Sequence, residues 1–251
     1  AVVDRPETPQ VELARVLRVG RDGAITNAAD FQRPQANEID LRFRVDVAPL
    51  ARMTVLVGVA YLSRMADGGH GQGISHLARS VSMQPEMRVV VNDGIDLTGD
   101  LGEYSLICLV AKDHFSLDVA QVNRLFDFVR KGGTLFVEGC HREGGAKPAS
   151  NAAFDELIQA LGAKPQVVKR HQPLLSEPFF FARPPDGYES QGGPELRADG
   201  GVVLSSCDFG CLWQGERRNG PASREEIRAG MEWGHNLLLY AWQRRTGGVR
   251  R

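Results

Sequence analysis

The side chains that could do chemistry gather in three short groups, each placed directly after an apolar run. The groups are 112–114, 138–141 and 207–211, and they contain histidine, cysteine and carboxylate side chains. In an open parallel sheet, ligands bind beyond the carboxyl ends of the strands. If the apolar runs are parallel strands, the three groups share one edge of the sheet and could form one site. The candidate catalytic residues are His114, Glu138, Cys140, His141 and Asp208.

One hypothesis for this site is nucleophilic catalysis by Cys140, with His141 or His114 as its base. A nucleophile elbow needs small residues two positions before and two positions after the nucleophile, and a turn that leads straight into a helix. Arg142 occupies the second of these positions, and the next helix is predicted only near Asn151. The sequence therefore argues against an elbow at Cys140.

Two other hypotheses use the cysteines differently. Cysteine, histidine and carboxylate are common zinc ligands, but the chain has no CxxC pair and no HExxH helix. A disulfide from Cys140 to Cys207 or to Cys211 would join two strand-end loops in an oxidising compartment. We therefore expect no cofactor, keep zinc as the less favoured alternative, and treat these three cysteines as disulfide candidates or free thiols.

Alternating strands and helices are predicted to position these groups. Residues 104–110 and 134–137 are continuous apolar runs, typical of buried parallel strands, and residues 119–129 between them have one apolar helical face. This strand–helix–strand order is a βαβ unit. Residues 201–205 resume the sheet, and a capping box at Ser223 opens a long helix. The pattern predicts an α/β fold with three layers and a mainly parallel sheet.

The N-terminal third has a different pattern. Residues 39–47 alternate with period two, as a half-exposed strand does, and residues 54–62 form a continuous apolar run. The glycine-rich segment 67–73 precedes a predicted helix but matches neither the P-loop nor the dinucleotide fingerprint. We therefore predict a β-rich extension with a glycine-rich loop and a helix over 1–84, and the α/β domain over 85–251.

Composition and charge exclude several functions. Hydrophobic residues make up 42% of the chain and charged residues 24%, which is typical of a globular protein. The formal net charge of −1 gives no field that would attract nucleic acid, and we expect no nucleic-acid partner. No apolar run approaches the roughly 20 residues of a membrane helix. The chain begins with Ala1, which fits either removal of a leader, and hence a periplasmic or extracellular location, or a fragment of a longer protein.

Four segments and one histidine of the C-terminal part carry a family resemblance. In order, they are YSLICLVAKDHFSLDVAQVNRLFDFVRKGGTLFVEGCHREGG, FDELIQALG, His171 shortly before a Pro-Leu-Leu run, VVLSSCDFGCLW and SREEIRAGMEWGHNLLLYA. Their order resembles the bacterial domain-of-unknown-function family 4159, over residues 85–245. The resemblance implies a class I glutamine-amidotransferase-like, flavodoxin-related fold. Members of this family are often exported or membrane-anchored, and some are linked to von Willebrand A-type and MoxR ATPase systems.

The resemblance also implies correspondences at the strand ends. Asp113 departs from the glycine of the family's Gly-His step, which weakens the case for a tight backbone approach there. Export of the family favours an oxidising compartment and hence the disulfide hypothesis. The corresponding positions are Asp113 and His114, then Glu138 and Cys140, then Asp208, Cys211 and Trp213.

The sequence therefore favours a non-catalytic binding or assembly module of an exported bacterial protein, with a protein partner or a second copy of itself. The missing elbow and a β-rich extension that could offer a strand edge support this interpretation. The alternative is a hydrolase or metal-dependent enzyme that uses the strand-end histidine, glutamate, cysteine and aspartate residues. Fold class alone does not decide between the two.

Overall fold

The computed structural model describes residues 17–19, 25–27, 53–62, 69–84, 86–144, 149–189 and 195–247. The chain forms two compact units, Ala1–Pro49 and Leu50–Arg251. In the first unit, the described residues form an antiparallel pair of strands, β1 (Leu17–Val19) and β2 (Ile25–Asn27). The strand predicted at 39–47 lies outside the described residues.

A seven-stranded sheet organises the second unit. Its strands are β3 (Met53–Tyr61), β4 (Met87–Asp93), β5 (Leu106–Ala111), β6 (Thr134–Gly139), β7 (Gln166–Val167), β8 (Leu196–Asp199) and β9 (Val202–Ser205). Their spatial order is β4-β3-β5-β6-β9-β8-β7. The five strands from β4 to β9 are parallel, and β8 and β7 add an antiparallel edge. Numbered along the chain, the parallel strands have the 2-1-3-4-5 order of flavodoxin-like folds.

Helices pack on both faces of this sheet. They are α1 (Gly69–Ser82), α2 (Val119–Arg130), α3 (His141–Gly144), α4 (Ser150–Ala160), α5 (Pro173–Ser176), α6 (Phe209–Leu212) and α7 (Arg224–Thr246). Alternate residues of β5 enter two separate apolar clusters, because successive strand residues point to opposite faces. One cluster contains residues of α1 and α7, and the other contains residues of α2 and α4. The predicted three-layer α/β fold with a mainly parallel sheet is confirmed.

The predicted domain boundary at 84/85 needs a correction. Strand β3 lies in the middle of the sheet, hydrogen-bonded to both β4 and β5, so it belongs to the α/β unit rather than to an extension. The segment 67–73 is also not simply a loop, because α1 already begins at Gly69. The apolar run at 54–62 has the composition of a buried parallel strand. The start of α1 was missed because glycine-rich sequence is typical of a loop rather than a helix.

Two helix starts show how local sequence fixes the elements. The predicted capping box of α7 is confirmed: the Ser223 side chain accepts a hydrogen bond from the backbone of Glu226, whose side chain accepts one in return. Helix α2 has the same arrangement at Asp118 and Gln121. Each box satisfies backbone N–H groups that have no partner inside the helix. Among the described helices, none is long and apolar enough to span a bilayer.

Candidate functional site

Adjacent parallel strands bring two of the three predicted groups together. Strands β6 and β9 pair in register, with Glu138 opposite Ser205. Because both strands run in the same direction, the segment 138–141 leaves the sheet beside the segment 206–211. We call the side chains of Glu138, Cys140, His141, Asp208 and Cys211 the rim cluster.

The Glu138 carboxylate is bound by the start of α6. Its Oε1 accepts a hydrogen bond from the backbone N–H of Phe209 at 2.8 Å, and its Oε2 accepts one from Gly210 at 2.9 Å. Charge-assisted hydrogen bonds of this kind are stronger than neutral ones. Glu138 therefore anchors the turn after β9 to the end of β6.

Asp208 occupies the turn between β9 and α6 in a left-handed conformation, with φ 54° and ψ 60°. Aspartate tolerates this region better than most residues because its side chain can bond locally. Here Oδ1 accepts a hydrogen bond from the backbone of Cys211 at 3.1 Å, and Oδ2 accepts one from the backbone of His141 at 2.6 Å. Asp208 thus caps α6 and also connects it to α3.

The pattern around Asp208 is one that the sequence interpretation missed. Ser206-Cys207-Asp208-Phe209-Gly210 has small residues two positions before and two positions after a residue at a strand-to-helix turn. We sought this pattern at Cys140, where it fails. At Cys140 the structure also differs from expectation, because the short helix α3 begins at His141, well before Asn151. The spacing of small residues around Asp208 is visible in the sequence, but the central residue is a carboxylate and the elbow was considered only for a cysteine.

Two thiols and one carboxylate meet inside the rim cluster. The sulfur atoms of Cys140 and Cys211 are 4.0 Å apart, and a carboxylate oxygen of Asp208 lies with both sulfurs inside a span of 4.8 Å. The hydrogen bond with Cys140 and burial together raise the pKa of the Cys211 thiol above its usual range. The Cys211 thiol therefore stays protonated at neutral pH.

His141 connects the rim cluster to a second buried group. Its Nδ1 lies 3.9 Å from Oε2 of Glu189 and has no hydrogen-bond partner within the described part of the chain. Glu189 in turn accepts a hydrogen bond from Nε of Arg218 at 2.6 Å. The Arg218 guanidinium lies over the Tyr188 ring, 5.8 Å from its centroid. The Glu189–Arg218 pair thus lies beside His141 of the rim cluster.

Two predicted site residues do not join this cluster. Cys207 packs in the apolar cluster on the α1 and α7 face, where its Sγ contacts the carbonyl of Glu195 at 3.9 Å. Burial, followed by the charge of Glu138, raises the pKa of Cys207 to about 12. His114, in the loop after β5, is exposed to solvent. The segments after β6 and β9 therefore come together as predicted. His114, in the loop after β5, is exposed and does not join them.

Access to the rim cluster is very limited. Each of its five side chains is at most 4% exposed. A neighbouring cavity, lined by Gly139, Ser205 and Ser206 among others, has a volume of about 160 Å³. Pockets for small-molecule ligands usually have a volume of about 300–1,000 Å³. In this conformation the rim cluster is part of the interior rather than the wall of a substrate cleft.

Comparison with known proteins identifies the family of this chain. The family described as Domain of unknown function (DUF4159) matches residues 56–242. The chain belongs to this family. The matched range includes all but the first residues of β3. The DUF4159 domain therefore starts before residue 85, where the sequence resemblance had placed its start. No curated protein matches the chain.

Several solved structures are similar to this chain. One of them is a protein described as ThuA-like from Bacteroides uniformis ATCC 8492, with 12% sequence identity and a TM-score of 0.41. The alignment covers 81% of this chain and 95% of that protein.

Proposed function

We propose that this DUF4159 protein is a non-catalytic binding or assembly module of an exported bacterial protein, built on a scaffold of the glutamine-amidotransferase-like class. One observation carries the proposal: the two carboxylates of the rim cluster, Glu138 and Asp208, are buried and act as hydrogen-bond acceptors for the backbone. A general acid or base must reach a proton of the substrate. These carboxylates instead hold two loops and a helix in place.

The thiols of the rim cluster support the same proposal. A cysteine nucleophile reacts as the thiolate and is found in partly exposed, electropositive surroundings. Cys140 and Cys211 are buried, and the pKa of Cys211 is raised by its hydrogen bond with Cys140 and by burial. Protonated and inaccessible thiols are typical of structural cysteines.

A side of α2 is the surface that we propose for a protein partner or a second copy of the chain. Val119 is 77% exposed and Phe126 is 39% exposed, and they lie two turns apart on the same side of the helix. Half-buried Val122 lies between them. Exposed apolar side chains grouped on one helix face are typical of a helix that packs against a partner.

Thiol labelling and an activity assay test the non-catalytic part of the proposal. We expect Cys140 and Cys211 to resist iodoacetamide in the native protein and to react only after unfolding, as shown by peptide mass spectrometry. We also expect no release of ammonia from glutamine. Rapid labelling of Cys140 that disappears in His141→Ala, or ammonia release that disappears in Cys140→Ser, would contradict the proposal.

A pair of charge substitutions tests the binding part. Val119→Glu places a carboxylate in the apolar side of α2, and Ala120→Glu places the same charge at the next, also exposed position. We expect Val119→Glu to lower the mass of the assembly in light scattering after size exclusion, or its binding to a cross-linked partner, and Ala120→Glu to leave both unchanged. If the two variants have the same assembly mass and the same partner binding, α2 is not the interface.

The proposed export of this protein is based on the exported members of the family that its sequence resembles. It is tested by fractionating cells that produce the full-length natural protein and probing each fraction with an antibody. We expect the protein in the periplasmic, membrane or medium fraction. Recovery with a cytoplasmic marker enzyme would contradict an exported role and would also weaken the case for a disulfide.

A hydrolase is the second candidate, and the turn at Asp208 favours it. The left-handed residue between a strand and a helix, flanked by Ser206 and Gly210, has the spacing of a nucleophile elbow. An aspartate can form a covalent intermediate. Screening ester and glycoside substrates with the wild type and with Asp208→Asn tests this candidate. Turnover that Asp208→Asn removes without loss of the fold would replace the non-catalytic proposal.

A further inference from the structure

The three donor atoms inside the rim cluster have the dimensions of a metal site. Cys140 and Cys211 place their sulfurs 4.0 Å apart, and an Asp208 oxygen completes a triangle no wider than 4.8 Å. Two sulfurs that each lie about 2.3 Å from a tetrahedral zinc ion are about 3.8 Å apart. A disulfide would require these sulfurs to approach to about 2.05 Å. A zinc ion is accommodated with a much smaller movement.

The chemistry of the donors selects one class of ion. Thiolates favour soft and borderline cations such as zinc, while a site of oxygen donors alone would favour magnesium or calcium. A carboxylate offers about four acceptor positions. An Asp208 oxygen can therefore receive a backbone hydrogen bond and bind a cation at the same time.

The backbone holds the three donors in place before any ion arrives. The backbone N–H of Cys140 donates to the carbonyl of Ala111 at 2.9 Å, which fixes the turn after β6. Cys211 lies in α6, whose start is bound by Glu138. Asp208 is fixed through its bonds to Cys211 and His141. Hydrogen bonds around the ligands orient them and raise metal affinity by roughly 10–100-fold.

We propose that Cys140, Asp208 and Cys211 bind one divalent cation of the zinc class, which clamps the loop after β6 to the turn after β9. Binding forms two metal–sulfur bonds and one metal–oxygen bond, leaves the fourth position of the tetrahedral ion to a water molecule, releases the two thiol protons to solvent and changes no oxidation state. The clamp joins residues 71 positions apart in the sequence. The inference is independent of the proposed function, since a structural ion serves a module and an enzyme alike.

Metal titration of the reduced, full-length protein tests this inference. Zinc is added to apo protein in isothermal titration, and cobalt is added in parallel to monitor the cobalt–thiolate absorption. We expect one ion per chain, with about two protons released per ion in buffers of different ionisation enthalpy. Cys211→Ala should lower zinc affinity by roughly 100-fold or more and abolish the cobalt–thiolate band.

Cys207→Ala is the matched control, because Cys207 is also buried and lies only four positions from Cys211. It should keep wild-type stoichiometry and the cobalt band. Circular dichroism shows whether each variant is folded, and Cys140→Ser and Asp208→Asn give the same test if Cys211→Ala does not fold. Each should weaken zinc binding.

Three results would overturn the inference. The first is reduced wild-type protein that binds neither zinc nor cobalt. The second is zinc binding that Cys140→Ser and Cys211→Ala leave unchanged. The third is native protein purified without metal and with a Cys140–Cys211 disulfide, seen as a cross-linked peptide, which would assign the pair to the disulfide. None of these depends on the labelling and assembly experiments that test the function.

Discussion

The loop after β5 and the loops after β6 and β9 leave the same edge of the same sheet, yet they have opposite environments. Asp113 and His114 after β5 are exposed, whereas Glu138, His141 and Asp208 are buried. The buried loops are joined to their surroundings by specific contacts. The start of α6 binds the Glu138 carboxylate, and the buried Glu189 lies beside His141.

This difference changes what the polar residues contribute. A buried polar group is costly unless it is hydrogen-bonded, so those of the rim cluster are integrated into the fold through backbone bonds. A polar group in an exposed loop remains hydrated and contributes little to stability. Substitutions on the two sides of this comparison should therefore differ by several kcal/mol in the free energy of unfolding.

The largest effect is expected for Glu138→Ala. It removes both acceptors of the Phe209 and Gly210 N–H groups and leaves them buried without partners. The free energy of unfolding should fall by about 3–5 kcal/mol, as when one side of a buried charged network is deleted. Urea denaturation measures this loss. Glu138→Gln, which keeps one oxygen acceptor, should lose less; a loss below about 1 kcal/mol for alanine would show that Glu138 is not an anchor.

A smaller loss is expected for Asp208→Ala. It removes two backbone hydrogen bonds and puts alanine at a φ of 54°. The expected cost is about 2–4 kcal/mol in urea denaturation. Asp208→Asn keeps an oxygen acceptor and a residue that tolerates the left-handed region, so it should retain most of the stability. If Asp208→Gly were as stable as the wild type, backbone conformation rather than the carboxylate would be what the turn requires.

A third position, His235, should affect how the free energy of unfolding depends on pH. Burial lowers the pKa of His235 below its ordinary 6.5, with Glu86 acting in the opposite direction. The unfolded chain therefore takes up this proton at higher pH than the folded one. Stability from neutral His235 is complete above about pH 6.5 and is lost as the pH falls through the lower folded pKa.

His235→Gln tests this dependence by urea denaturation at a series of pH values. The variant cannot take up the proton, so its stability should decline less steeply than that of the wild type below about pH 6.5. The acid sensitivity that remains then belongs to groups other than His235. Identical slopes for the two proteins would show that His235 is not a source of the pH dependence.

The smallest effect is expected on the exposed side of the comparison. His114→Ala should change the free energy of unfolding by less than about 0.5 kcal/mol, because its side chain is exposed to solvent. Chemical denaturation checks this against the matched substitution His141→Ala, whose side chain is buried. A loss at His114 equal to that at His141 would remove the distinction between the two loops.

Much of the fold could be predicted because burial leaves a local pattern. The strands predicted from the apolar runs of β5 and β6 and the capping box at Ser223 are confirmed, because each depends on neighbouring residues. The boundary at 84/85 was wrong because a central strand and an edge strand differ only in their partners. Those partners lie far away in the sequence.

The candidate site was predictable in part for the same reason. Parallel strand direction brought Cys140 near Cys211, as expected for two groups at one edge. The direction of Cys207 could not be predicted, because a residue in a turn follows no alternating pattern. The left-handed conformation of Asp208 and its two backbone partners also depend on α3 and α6 being in place.

The sequence alone determined the α/β class, the parallel strands and the residue types at their ends, because hydrophobic periodicity and helix capping act over a few neighbouring residues. Only the tertiary structure decided which of those residues are buried together and which remain in solvent. Which residues are buried together depends on segments that are distant in the sequence, since Glu138 is bound by Phe209 and Gly210 some 70 positions later in the chain. Packing between such segments converts an ordinary set of polar residues into an enclosed cluster of two carboxylates, two thiols and one imidazole.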